Sequence, residues 1–171
     1  MHITIVAVGS RGDVQPCVAL GQGLKQAGYD VQVATHAIFA DLVARCGLAF
    51  APIEGDPRQT MVGRSGQEWQ KSGRNALRFL RGVRGLTTFD SLKKSLSDTV
   101  EACRGTNAIL FTVLGAPAYH VAEMLGVPSL YLLLQPLTRT REHPCIVAPA
   151  LPLGGSYNWW THVLSERLLW Q

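Results

Sequence analysis

Side chains capable of chemistry crowd together at one short stretch of this sequence, Gly9-Ser10-Arg11-Gly12-Asp13-Val14-Gln15-Pro16. Asp13 is a carboxylate able to take a proton from a hydroxyl brought within hydrogen-bond reach. Ser10 adds a hydroxyl and Arg11 a fixed positive charge. The stretch follows an apolar, β-branched run from Ile3 to Val8, and helical patterning begins directly after it. Such a run predicts a buried strand, and open α/β sheets bind ligands beyond the carboxyl ends of their strands. The loop is therefore expected at an active-site edge.

Three uses of the loop compete. A dinucleotide site would need the spacing G-x-G-x-x-G and an acidic residue ending the second strand. Here only Gly9 and Gly12 are present, Ala34-Thr35-His36 stands at the second position, and Asp13 would repel a pyrophosphate. A helix cap would use the Asp13 carboxylate to accept a backbone N–H and complement the helix dipole, contributing roughly 0.5–2 kcal/mol. A general base would use the same carboxylate on a substrate hydroxyl. The helix end stabilises its charge, whereas an apolar substrate packed over it would favour its taking a proton.

The elements around the loop predict a parallel sheet. Val18, Leu20, Leu24 and Ala27 recur at helical spacing up to Gly28, and Asp30 to Ala34 alternates as a strand. A second helix runs through Phe39, Leu42, Val43 and Cys46 to Gly47, and a third strand covers 48–53. Two such β-α-β crossovers are right-handed and make neighbouring strands parallel. Residues 54–73 read as a long loop, helical pattern resumes at 75–83 and 89–103, and a fourth strand is expected at 107–113. A helix at 116–125 and a fifth strand at 128–133 complete a doubly wound, Rossmann-like α/β pattern. Beyond a polar, proline-broken loop, Tyr157 to Trp170 is helical in period, with Trp159, Val163, Leu164 and Leu168 as its apolar stripe.

The 171 residues, 47% of them apolar, suit one core, and a net charge of +4 falls short of the density of a dedicated nucleic-acid binder. No nucleic-acid partner is expected. Cys17, Cys46, Cys103 and Cys145 lack C-x-x-C spacing, which points away from zinc and from a disulfide framework, towards a reducing cytoplasmic setting. His2, His143 and His162 are too scattered to predict a metal site. Most of the positive charge lies between Arg58 and Lys94. There Arg74, Arg78 and Arg81 form one helical face opposite Ala76, Leu77, Leu80 and Val83, either a solvated face or one suited to an anionic membrane surface.

With these residues in view, Gly9 to Pro16, followed by Val18-Ala19-Leu20-Gly21 and Ala27-Gly28, resembles the start of GT-B glycosyltransferases of the sterol, macrolide and glycopeptide-antibiotic type. The likeness continues through Ala34-Thr35-His36 with Phe39, Gly47-Leu48, Asp56-Pro57, Ala122 to Pro128, Gln135-Pro136, Thr140-Arg141-Glu142 and Tyr157-Asn158. Tyr29, Arg139 and His143 depart from the family pattern, which bears on the pocket more than on the fold.

The resemblance implies that residues 1–171 form a single acceptor-binding domain, family 28 in kind, with 156–171 a helix leading towards a donor domain. It implies transfer of a hexose with inversion from a nucleotide-sugar to a hydroxyl of a lipid, sterol or other hydrophobic acceptor. Asp13 would be the base, and Ser10, Arg11, Gly12, His36, Gln135, Thr138 and Thr140 the acceptor contacts; from the residues alone, a histidine satisfied by backbone is the plainer reading of His36, and Gln135, Thr138 and Thr140 read equally as groups that satisfy loop backbone. No metal or bound cofactor is implied. The His-Gly-Gly and Gly-x-Gly-Thr donor signatures do not occur, so a donor half is expected in cis or in trans. The alternative is a non-catalytic module that binds an acceptor or a membrane.

Overall fold

The computed structural model describes residues 1–56, 89–134, 138–145 and 148–170. By its internal contacts the chain divides into two compact units, Met1–Arg58 with Thr88–Leu134, and Gln59–Thr87 with Gln135–Gln171.

The first unit holds five strands: β1 (His2–Val6), β2 (Asp30–His36), β3 (Ala49–Ile53), β4 (Ala108–Thr112) and β5 (Ser129–Leu132). All pair in parallel, in the order β3-β2-β1-β4-β5. Their carboxyl ends thus share one edge, and the winding reverses between β1 and β4, where such sheets open a crevice for ligands. The helices described here are α1 (Arg11–Gln26), α2 (Ala40–Arg45), α3 (Phe89–Ala102) and α4 (Ala118–Leu125). Single 3₁₀ turns follow β2 at Ala37–Phe39 and β4 at Val113–Gly115.

Period-two alternation sends successive strand residues to opposite faces and so builds two cores. Ile3, Ile5, Val31 and Val33 join Val14, Cys17 and Val18 of α1 and Val43 of α2. On the other face Val6, Ala34, Ile109 and Phe111 join Cys103 and, from α4, Ala118, Val121 and Ala122. Burying both faces explains why the strands read as near-continuous apolar runs. The predicted ends shift by a residue or two. Ala7 and Val8 lie beyond β1, and a 3₁₀ turn precedes α2 where one helix was expected.

In the second unit α5 spans Gly154–Trp170, starting two residues before the expected 156. Glycine at 155 permits this start, since a Cβ there would stand 3.0 Å from Arg141 Cβ and 3.3 Å from its carbonyl oxygen. The predicted apolar stripe holds at Val163, which is 6% exposed, and is corrected at Leu164. Leu164 is 56% exposed, while Thr161 and His162 are 7% and 2% exposed. Their side chains answer loop backbone: Cys145 N–H donates to Thr161 Oγ1 at 2.8 Å, and His162 Nε2 lies 3.1 Å from the His143 carbonyl. A helix packed on irregular chain must satisfy that chain's polar groups, so here the polar residues turn inward. Arg139 meets Glu166 of α5 at 2.6 Å.

Candidate functional site

Everything at the β1–α1 loop follows from a reciprocal cap. Ser10 is the N-cap of α1, with extended backbone, and Asp13 is the third helical residue. Asp13 Oδ2 accepts the Ser10 N–H at 2.7 Å and the Ser10 Oγ–H at 2.9 Å. Asp13 thus reaches back to the cap residue instead of forward to the next turn. Its carboxylate is half-buried and lies at the helix N-terminus, where an anion would otherwise settle. Both bonds fall on one oxygen, Oδ2.

Glycine at position 9 makes this arrangement possible. Its φ is +129°, and a Cβ would lie 2.5 Å from Asp13 Oδ2 and 2.9 Å from Cγ. No L side chain fits that conformation or that space. Behind the loop, His36 closes β2 at 6% exposure. Its Nδ1 is 3.2 Å from the Ile53 carbonyl, and the Gly9 N–H donates to its Nε2 at 3.4 Å. The histidine read as an acceptor contact therefore spends both ring nitrogens on backbone.

Other predicted site residues have different surroundings. Arg11 is exposed and runs along the helix, its Nε 3.1 Å from Gln15 Oε1, and Gly12 is exposed beside it. Thr138 and Thr140 belong to the second unit, where Thr140 Oγ1 accepts the Glu142 N–H at 3.2 Å. Gln135 lies outside the described residues, as does most of the basic segment 58–94. Among the described residues no helix is long and apolar enough to cross a membrane.

Two parts of the site were not anticipated. Gly9 stood in the motif only as a loop glycine, although its place directly before an N-cap was a signal of close approach. The turn after β4 was also missed. Gly115 lies so close to β1 that a Cβ would come within 2.9 Å of the Val6 carbonyl oxygen, which brings the turn to the reversal point of the sheet. Leu114 in that turn is 62% exposed.

Residues 3–144 match the model of the glycosyltransferase family 28 N-terminal domain. The chain belongs to this family. The family 28 chain is similar over 172 residues, at 38% identity, to a sterol 3-beta-glucosyltransferase of Candida albicans, which covers 99% of this chain and 11% of that protein. It is 36% identical over 179 residues to the UDP-sugar-dependent glycosyltransferase 52 of Dictyostelium discoideum, covering 100% of this chain and 10% of that one. The family 28 chain thus spans about a tenth of the length of these relatives. Among solved structures, the glycosyltransferase SnogD from Streptomyces nogalater has the same fold with a TM-score of 0.56 at 16% identity, covering 99% of this chain and 41% of that one. The kitacinnamycin glycotransferase gives 0.57 at 24% identity, over 78% of this chain and 30% of that one. The Rossmann-like, GT-B half-architecture expected from the sequence is the one observed.

Proposed function

We propose that the chain is the acceptor-binding half of an inverting glycosyltransferase that moves a hexose from a nucleotide-sugar to the hydroxyl of a sterol or another hydrophobic acceptor. One observation carries the reading: a carboxylate, Asp13, stands at the reversal point of a parallel sheet with its capping bonds confined to Oδ2. Oδ1 is then the oxygen for the acceptor hydroxyl. It takes the hydroxyl proton as that oxygen bonds to the anomeric carbon and the nucleoside diphosphate leaves. Apolar side chains just beyond the same strand ends suit a hydrophobic acceptor: Ile38 after β2, Leu114 after β4, and Leu133 and Leu134 after β5, exposed by 37, 62, 53 and 40%.

The sugar donor belongs to a second domain, met in cis or in trans, and the setting is cytoplasmic. Contact with an anionic membrane through residues 58–94 is part of the proposal, and salt-sensitive co-sedimentation with anionic liposomes checks it. The decisive assay pairs the chain with a donor half, a nucleotide-sugar and a sterol. Asp13→Asn should lower transfer by roughly 10²–10⁴-fold, the usual contribution of a positioned general base. Undiminished transfer by that variant defeats the base assignment. Sterol binding without transfer under any pairing would make the chain a binding module.

A further inference from the structure

We infer that His36 is the positioning residue for Asp13, an inference that rests on the reading of Asp13 as the acceptor base. In its neutral form, with the proton on Nδ1, His36 ties the Gly9 amide to the end of β3. It thereby holds the surface on which the carboxylate rests.

The tautomer is determined twice over. The Ile53 carbonyl can only accept, so Nδ1 at 3.2 Å must carry the hydrogen. The Gly9 amide can only donate, so Nε2 at 3.4 Å must present its lone pair. The ring is also confined on another side, where a Cβ on Gly55 would lie 3.0 Å from Cε1 and 3.2 Å from Nδ1. A protonated ring would turn a second N–H against the Gly9 N–H, and the opposite tautomer would lose both bonds.

The position of the tether gives it consequence. The β1–β2 pairing runs to Val6↔Ala34, followed by one bond from the Ala7 N–H to the Ala34 carbonyl at 2.9 Å. Past that point the bond to His36 continues the connection between the two strand ends, and it does so at the glycine over which Asp13 Oδ2 sits. The next amide, Ser10 N–H, holds the same oxygen at 2.7 Å. Moving Gly9 therefore moves both the floor and the donor of the carboxylate. The 3.4 Å separation is at the long end for a hydrogen bond.

The test separates the two ring nitrogens. His36→Gln keeps an acceptor near the place of Nε2, whereas His36→Asn keeps a donor near that of Nδ1. A ring acting only as filling would make the two variants alike. Long-range proton–nitrogen correlation on the ¹⁵N-labelled chain should show the Nδ1–H form in the unsubstituted protein, a readout that needs no variant to fold. Gly9 amide exchange should quicken about tenfold in His36→Asn, the factor for losing one ordinary hydrogen bond, and stay near the original rate in His36→Gln. With a donor half supplied, kcat should fall in His36→Asn with little change in acceptor KM, and recover in His36→Gln. An Nε2–H tautomer, or equal Gly9 protection in both variants, overturns the inference. If Gly9 loosens in His36→Asn while transfer by that variant and by Asp13→Asn is undiminished, the base reading falls and the tether alone stands.

Discussion

Replacing Gly9 with alanine puts the site's construction to a direct physical test. The new methyl carbon would stand 2.5 Å from Asp13 Oδ2, 2.9 Å from Cγ and 3.2 Å from Cβ. The carboxylate cannot simply swing aside, because Ser10 holds Oδ2 through both its amide and its hydroxyl. The backbone cannot relax freely either, since φ of +129° is glycine territory and an L residue kept there costs about 1–3 kcal/mol. Displacing the carboxylate adds the loss of the cap, about 0.5–2 kcal/mol. Together these predict a destabilisation of about 1.5–5 kcal/mol, or roughly 3–20 °C in Tm for a chain of this size. Urea and thermal unfolding followed by circular dichroism would measure it, in a cycle with Asp13→Ala. In that background the clashes with Oδ2 and Cγ are gone, leaving only the 3.2 Å approach to Cβ, and the cap is already lost, so Gly9→Ala should cost about 1 kcal/mol less. A cost below about 0.5 kcal/mol, or one identical in both backgrounds, would refute the reasoning.

Acid and thiol chemistry give further checks. Burial alone pushes the Asp98 carboxyl up, but the bond from Lys94 Nζ, the bond from the Glu54 N–H and the Lys94 charge outweigh it and hold the group below its ordinary 3.8. The folded state then gains stability above the unfolded value and loses it as pH falls through the lower folded one. Asp98→Asn should therefore cost more stability at neutral pH than near pH ~3, and a cost independent of pH would contradict this. Burial, with the Asp13 charge adding to it, pushes the Cys17 thiol up to about 11, and burial pushes Cys103 up to about 12. Half-buried Cys46 should thus be alkylated first near neutral pH, with Cys17 and Cys103 labelled only on unfolding. Mass spectrometry of the labelled chain would show it, and Cys17 reacting as fast as Cys46 would count against it.

Much of the architecture was legible because it rests on local chemistry. The β-branched runs at 3–6 and 31–35 could hardly be anything but buried strands. Gly28, Gly47 and Gly126, with φ of +90°, +69° and +67°, mark the ends of α1, α2 and α4 as their positions suggested. The motif also pointed to the right edge of the sheet. Its details were less accessible, because periodicity reports which side of an element is apolar and says nothing about which polar group answers which. The stripe read along α5 failed at Leu164 for that reason. Its neighbour is loop backbone from 143 to 145, so Thr161 and His162 are buried while Leu164 is exposed. His36 illustrates the same limit: its residue type allowed either an acceptor contact or satisfaction by backbone, and the backbone partners it has lie 17 and 27 positions away.

The order of residues alone pointed to a strand that ends at a polar stretch bearing Ser10, Gly12 and Asp13, and to a helix beginning there, since spacing and charge are properties of contiguous chain. Tertiary structure decided what those residues do. It laid β4 beside β1, although Phe111 and its partner Val6 are 105 positions apart, and so put Asp13 at the reversal point of the sheet. It also set His36 behind Gly9. Such contacts depend on chain closure over long separations, which no local pattern encodes.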